Sequence, residues 1–197
     1  MGSDAKATCT RRPGRPKSGS EDKKARIRSE ALTLFSTQGY VATSLADIAR
    51  ASDISKAGLL HHYSSKDQLL AAVLDERDRR IVSQLPRPED GAEAALGAWV
   101  DMVAHNQHHP DGVALYTAMS AAVIDSKHQA HPWFREHLIA AISYLVEAFE
   151  HGKTTGEVRE DAPSEQIARR LVALSDGLQV QWLCSRADGG RTLNMHE

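Results

Sequence analysis

Apolar positions recur at spacings of three and four residues along most of the chain, which predicts an all-α protein. Ile27, Ala31, Leu34 and Phe35 mark a first helix from about Ser20 to Gln38, with Gly39 suited to the position just past its end. The pattern then shortens. Leu45, Ile48 and Ala49 give a small apolar face after Thr43, which can cap that helix. Ser52-Asp53 reads as a turn, and Ser55 can cap a second short helix from Lys56 to about Tyr63. Ser64-Ser65 opens a longer helix with Leu69, Leu70, Val73 and Leu74 on one side. It is predicted to run to about Leu85, before Pro86-Arg87-Pro88.

Four further helices follow from the same periodicity. Ala92, Leu96, Trp99, Val100 and Val103 predict one over residues 89–109. Val113, Tyr116, Met119 and Val123 predict another over 112–126. Pro132 suits the first turn of a long helix to about Thr154, striped by Phe134, Leu138, Ala141, Leu145 and Phe149 with Ile142 and Val146 beside them. Pro163 opens the last. It carries one apolar face through Ile167, Leu171, Leu174, Leu178 and Trp182, and a second through Val172, Val180 and Leu183. A helix apolar on two sides is buried on two sides, so the last two helices are expected to pack both into their own body and against a second copy. The dimer contacts expected there are Leu138, Ile142, Leu145, Val172, Val180 and Leu183.

Charge sharpens this division. The net charge of −2 over 197 residues conceals 12 Lys/Arg against 6 Asp/Glu in residues 1–66, and 12 against 20 in residues 67–197. A basic head on an acidic body is the footprint of a polyanion-binding domain joined to a separate module. Residues 1–19 are rich in Ser, Gly, Pro and basic residues and read as a disordered arm, in which Arg15 and Lys17 could lie along DNA; a solvated tail is the plainer alternative. The domains are accordingly placed at 20–66 and 67–187, with a frayed tail over 188–197. No apolar run is long enough to span a membrane, the N-terminus lacks a secretory core, and Cys9 and Cys184 form no disulfide or zinc spacing; a cytoplasmic setting is expected.

The short helix, tight turn and second short helix between Thr43 and Tyr63 have the form of a helix-turn-helix. Small residues at Ala57 and Gly58 let the backbone approach base edges, and Lys56 can donate to guanine or phosphate. The segment resembles the DNA-binding domain of TetR-type transcriptional regulators. The matching residues are Thr43-Ser44, Asp47-Ile48-Ala49, Ser55-Lys56, Leu59, His62-Tyr63 and Ser65-Lys66-Asp67. Two positions depart from that pattern: Ala57 replaces the usual glycine, and Leu60 replaces a tyrosine that touches the DNA backbone. The resemblance covers roughly residues 20 to 75. It implies a three-helix head, a C-terminal helical domain for effector binding and dimerisation, and double-stranded operator DNA as partner. Thr43, Ser44, His62 and Lys66 are then expected on phosphates, and Ser55, Lys56, Ala57, Gly58 and His61 near base edges.

No P-loop, GxGxxG, GxSxG or HExxH pattern is present, so neither an enzyme nor a cofactor is expected. His105, His108 and His109 have a spacing that could hold a metal, but Pro110 marks a helix end, where histidines also meet loose carbonyls. Trp99, Met102, His105, Tyr116, Met119, Trp133, Phe134, His137, Gln181 and Trp182 are the candidates for a small-molecule pocket; ordinary core is the competing reading for each. The function expected is a homodimeric repressor released by an effector of unknown identity. An activator or architectural DNA binder without ligand, a metal sensor or metalloenzyme, and a helical adaptor without DNA binding stay open as alternatives.

Overall fold

The computed structural model describes residues 18–187; the expectations for the basic arm, including Arg15 and Lys17, and for the tail over 188–197 lie outside them. The described residues form eight α-helices and one short 3-10 turn, with no strand among them. They are α1 (Ser18–Gln38), α2 (Leu45–Ala51), α3 (Lys56–His62), α4 (Lys66–Val82), α5 (Ala92–Asn106), α6 (Pro110–Ala122), α7 (His131–Thr155) and α8 (Ser164–Ala187), with the 3-10 turn at Pro88–Asp90.

Local chemistry sets most of the ends. Gly39 takes φ +84° after α1, a conformation that would strain a residue with a Cβ. Ser44, not Thr43, caps α2: its hydroxyl accepts from the Asp47 N–H, and the Asp47 carboxylate accepts from the Ser44 N–H in return. Ser55 caps α3 through the Gly58 N–H, and Ser65 caps α4 through the Gln68 N–H. Helix α4 stops at Val82, short of the expected Leu85, and Gln84 and Leu85 close it with N–H bonds to the carbonyls of Ile81 and Val82. Gly91 precedes α5 at φ +109°. The Glu157 carboxylate lies 2.8 Å from where a Cβ would stand, and it accepts the Ala92 N–H at 2.8 Å, placing an anion at the start of α5.

Two cores hold the chain together. The body core lies between α5, α6, α7 and α8 and includes Trp99, Val103, Val113, Leu145, Phe149, Val172 and Trp182. The other begins in the head with Ile27, Phe35, Ile48, Leu59, Leu70 and Leu74, and continues without a break into Leu115, Tyr116 and Met119 of α6 and Phe134 of α7. Helix α1 packs along both α4 and α6. The head therefore rests on the body through shared apolar packing as well as through the helix that joins them.

Some expected faces differ. Val41, in the loop after α1, is almost wholly exposed. On α5 the buried face runs through Ala92, Ala95, Trp99 and Val103, while Leu96 and Val100 face outward. Among the expected dimer contacts, Leu145 and Val172 are buried inside the body's own core and present no surface. Val180 is exposed, and Leu138, Ile142 and Leu183 are half-buried. The exposed apolar residues Ile139 on α7 and Leu174 on α8 join them on the outside of the last two helices. A helix with two apolar sides does not reveal from spacing alone which side its own body takes.

Candidate nucleic-acid interface and junction cavity

The head presents α3 outward. Leu59, fully buried, anchors the helix, and this leaves Lys56, Ala57, Leu60 and His61 exposed on the far side. The Ser55 cap aligns the first turn, and Ser44 stands exposed at the start of α2. Asp53, in the turn between them, has φ +50°, a left-handed conformation that aspartate accepts more readily than most residues. His62 sits beside this face. Its pKa is held below the ordinary histidine value, first by burial and then by the neighbouring charges of His61, Lys24 and Lys23. Those two lysines of α1 thus share the electrostatic surroundings of α3. With Lys56 exposed and Lys23 and Lys24 nearby, this face suits a polyanion whose phosphates flank a groove.

Two expected phosphate contacts are placed differently. Thr43 is buried, and its hydroxyl donates to the carbonyls of Leu34 and Gly39. The Lys66 ammonium donates to the carbonyls of Tyr40 at 2.8 Å and Thr43 at 2.9 Å, and lies 4.4 Å from the centre of the Tyr40 ring. Both close the loop after α1, satisfying carbonyls that the helix end leaves without partners. Neither is free for DNA, and the expectation is corrected for these two residues. Tyr40 also donates its hydroxyl to Asp67, and burial beside that carboxylate pushes the phenol well above its usual range.

The ten residues expected in a pocket separate into four groups. Trp99 and Trp182 belong to the body core; the Trp99 indole donates to the Ser175 hydroxyl at 2.9 Å. Gln181 is exposed, whereas Gln179, two residues earlier, is buried. Tyr116, Met119, Trp133, Phe134 and His137 gather where α4 meets α6 and α7. There Trp133 donates to Asp75 at 2.9 Å and stacks on His137 with ring centroids 5.0 Å apart, and His137 Nδ1 lies 2.7 Å from Asp78. Met102 and His105 line a cavity of about 570 Å³ between α1, α4, α5 and the start of α6.

Sequence reasoning missed the charged groups inside this junction. Arg77 lies over the Tyr116 ring at 4.4 Å and pairs with Asp78 at 3.2 Å. Burial lowers its pKa, against the pull of Asp78, Tyr116 and Asp176. Asp176 of α8 is raised above the ordinary carboxylate range by burial, which outweighs His137, the Tyr116 hydroxyl and Arg77. The available signal was register. Arg77 falls four residues after Val73 and three after Leu74, on the apolar stripe of α4, and Asp176 falls four after Val172 on α8.

The raised Asp176 has a measurable consequence. The folded chain keeps this proton to a higher pH than the unfolded chain does. Its contribution to stability is complete below the ordinary carboxylate pKa and is lost as pH rises through the raised value. Asp176→Asn should therefore flatten the fall in melting temperature as pH rises above the ordinary carboxylate pKa of about 4, relative to the parent protein. Parallel curves for the two proteins would show that the carboxyl titrates normally.

His105, His108 and His109 adjoin one another at the end of α5, with Nε2 of His105 and His109 3.0 Å apart. Among the described residues no group of three or more His, Cys, Asp or Glu side chains is arranged to hold a metal ion. No described helix is long and apolar enough to cross a membrane.

Residues 27–73 match the family of bacterial regulatory proteins termed the tetR family. The HTH-type transcriptional repressor Rv3405c of Mycobacterium tuberculosis is 38% identical over 80 residues, which take in 40% of this chain and 43% of that protein. The chain thus spans less than half the length of that relative. The A-factor receptor protein of Streptomyces griseus is 25% identical over 170 residues, covering 84% of this chain and 55% of its own. Among solved structures, a TetR-family regulator from a Rhodococcus species superposes with a TM-score of 0.73 at 20% identity, over 89% of this chain and 93% of that one.

Proposed function

We propose, for a chain whose residues 27–73 match the tetR family of bacterial regulatory proteins, a homodimeric, ligand-responsive transcriptional repressor acting in the cytoplasm. The observation that carries the DNA-binding part is α3. It is capped by Ser55, anchored by Leu59, and turns Lys56, Ala57 and His61 outward on a basic head. In a two-fold dimer each α3 enters a major groove, with half-sites centred roughly 34–36 Å apart or somewhat wider. Ser44 and His62 then hold phosphates while Ser55, Lys56, Ala57, Gly58 and His61 face base edges. The second copy docks on the outside of α7 and α8, where Ile139, Leu174 and Val180 lie exposed together with half-buried Leu138, Ile142 and Leu183. Occupancy of a promoter excludes polymerase, and an effector favours a dimer shape whose two reading helices no longer match successive grooves.

The test is fluorescence anisotropy with DNA from upstream of the protein's own gene, a scrambled duplex as control, and several salt concentrations. Specific binding should exceed the control by at least about a thousandfold at physiological salt. Equal, weak and steeply salt-dependent binding to both would reduce the head to a polyanion patch.

A further inference from the structure

The junction cavity has a chemistry that selects its ligand. Leu32, Val73, Leu74, Met102, Val113 and Leu115 supply its apolar wall. The polar part of the lining is rich in cations and donors, with Arg28, Arg77, Arg80 and the three histidines of the α5–α6 corner set against the carboxylates of Glu76 and Asp111. Two polar side chains of the lining carry a buried donor that no group among the described residues accepts. Asn106 is 6% exposed, and its Nδ2 has no hydrogen-bond partner among the described residues. The Arg28 side chain is 18% exposed, but its Nε is itself buried and has no partner among the described residues. Native proteins leave few buried donors unsatisfied, and two on the lining of one cavity mark a place for an acceptor from outside the chain.

Arg28 also reaches the DNA-reading helix. It lies on α1, donates from one terminal nitrogen to the Tyr63 hydroxyl at 3.3 Å, and sets the other 3.5 Å from Glu76 of α4. Tyr63 is the residue that closes α3. The guanidinium is planar and rigid, so a shift that brings Nε onto a new acceptor also moves the nitrogen that holds Tyr63.

We propose that this cavity binds an organic anion, a carboxylate on an apolar body, with its charged group received by Arg28 and Asn106, and that Arg28 carries occupancy to α3 through Tyr63. The proposal deepens the ligand-responsive reading and rests on it. A cationic ligand would meet the arginines, and a neutral one would leave the two donors without a charged acceptor.

The experiment is calorimetric titration of the full-length protein with decanoate, decanol and decyltrimethylammonium, paired with operator anisotropy in the presence of each. Decanoate should bind at least about tenfold more tightly than decanol, and Asn106→Leu should weaken decanoate by about tenfold while leaving decanol unchanged. Decanoate should also lower operator affinity, and in Tyr63→Phe the ratio of affinities without and with decanoate should fall towards one. Comparing the three probes on the parent protein needs no variant to fold. Equal binding of decanoate and decanol, tighter binding of the cation, or no binding of any probe beside intact operator binding overturns the anion assignment and leaves the regulator reading standing. Decanoate binding in a protein that fails to discriminate its operator would support the cavity assignment while defeating the regulator reading and the route through Tyr63.

Discussion

Trp182→Ala should cost about 3–5 kcal/mol of folding stability, the largest effect expected of a single substitution in the body. The indole is 2% exposed and lies in the core with Leu145, Phe149 and Val172, while the Arg186 guanidinium covers its ring at 4.8 Å. Truncation removes both the transfer free energy of a large aromatic and its packing contacts, and the ends of α7 and α8 cannot collapse into the space without breaking their own alignment. The alternative expectation from sequence was a ligand contact, and the two roles separate in the measurement. A core residue shifts the denaturant midpoint and leaves decanoate affinity near the parent value at temperatures where the variant is folded. A ligand contact would do the reverse, and that outcome would remove Trp182 from the core.

The second large effect concerns the reading helix. Lys56→Ala should weaken operator binding by about ten- to a hundredfold, corresponding to about 1–3 kcal/mol, if the ammonium reads a base edge. Lys56 is exposed at the first turn of α3 and makes no contact that folding needs, so its removal should not change the melting temperature. The specific and general parts of its role are distinguishable. Loss of a base contact lowers the ratio of operator to scrambled-DNA affinity. Loss of a phosphate contact lowers both together and reduces the salt slope by about one. No change in either quantity would mean that α3 is not the element in the groove.

The head was legible because its signals are local. Ser55 and Ser65 before α3 and α4, the Ser52-Asp53 turn and the apolar positions Ile48 and Leu59 act within a few residues of one another, and periodicity reads them directly, whereas the cap of α2 falls at Ser44, one residue after the expected Thr43. Thr43 and Lys66 misled for a physical reason. A threonine or lysine near a helix end can serve nearby backbone as well as a phosphate, and the carbonyls of Leu34 in the last turns of α1 and of Gly39 and Tyr40 in the loop are brought within reach only by the fold. The body's aromatics misled in another way. Trp99 and Trp182 resemble pocket residues in composition, but their partners Ser175 and Leu145 lie on other helices, and spacing within one helix does not show which neighbour it meets. The cavity itself is assembled from four helices spread from residue 25 to residue 115, so no stretch of sequence contains it. Arg77 and Asp176 could have been noticed as charges on apolar stripes, whereas the unmatched donor of Asn106 has no sequence signature.

The unbroken core between head and body bears on how such a protein can change over evolutionary time. A head whose Ile27, Phe35 and Leu70 share packing with Leu115, Tyr116 and Phe134 is not a cassette that can be lifted onto another body. A graft cut at the start of α4 would sever the seam and set mismatched surfaces against each other. On the proposed function, new operator specificity is more readily acquired at the outward residues Lys56, Ala57, Leu60 and His61, which the seam does not touch. If the junction cavity takes the effector as proposed, new effectors must be accommodated around walls that also support the head, so drift in ligand preference and drift in operator control are tied to the same few side chains.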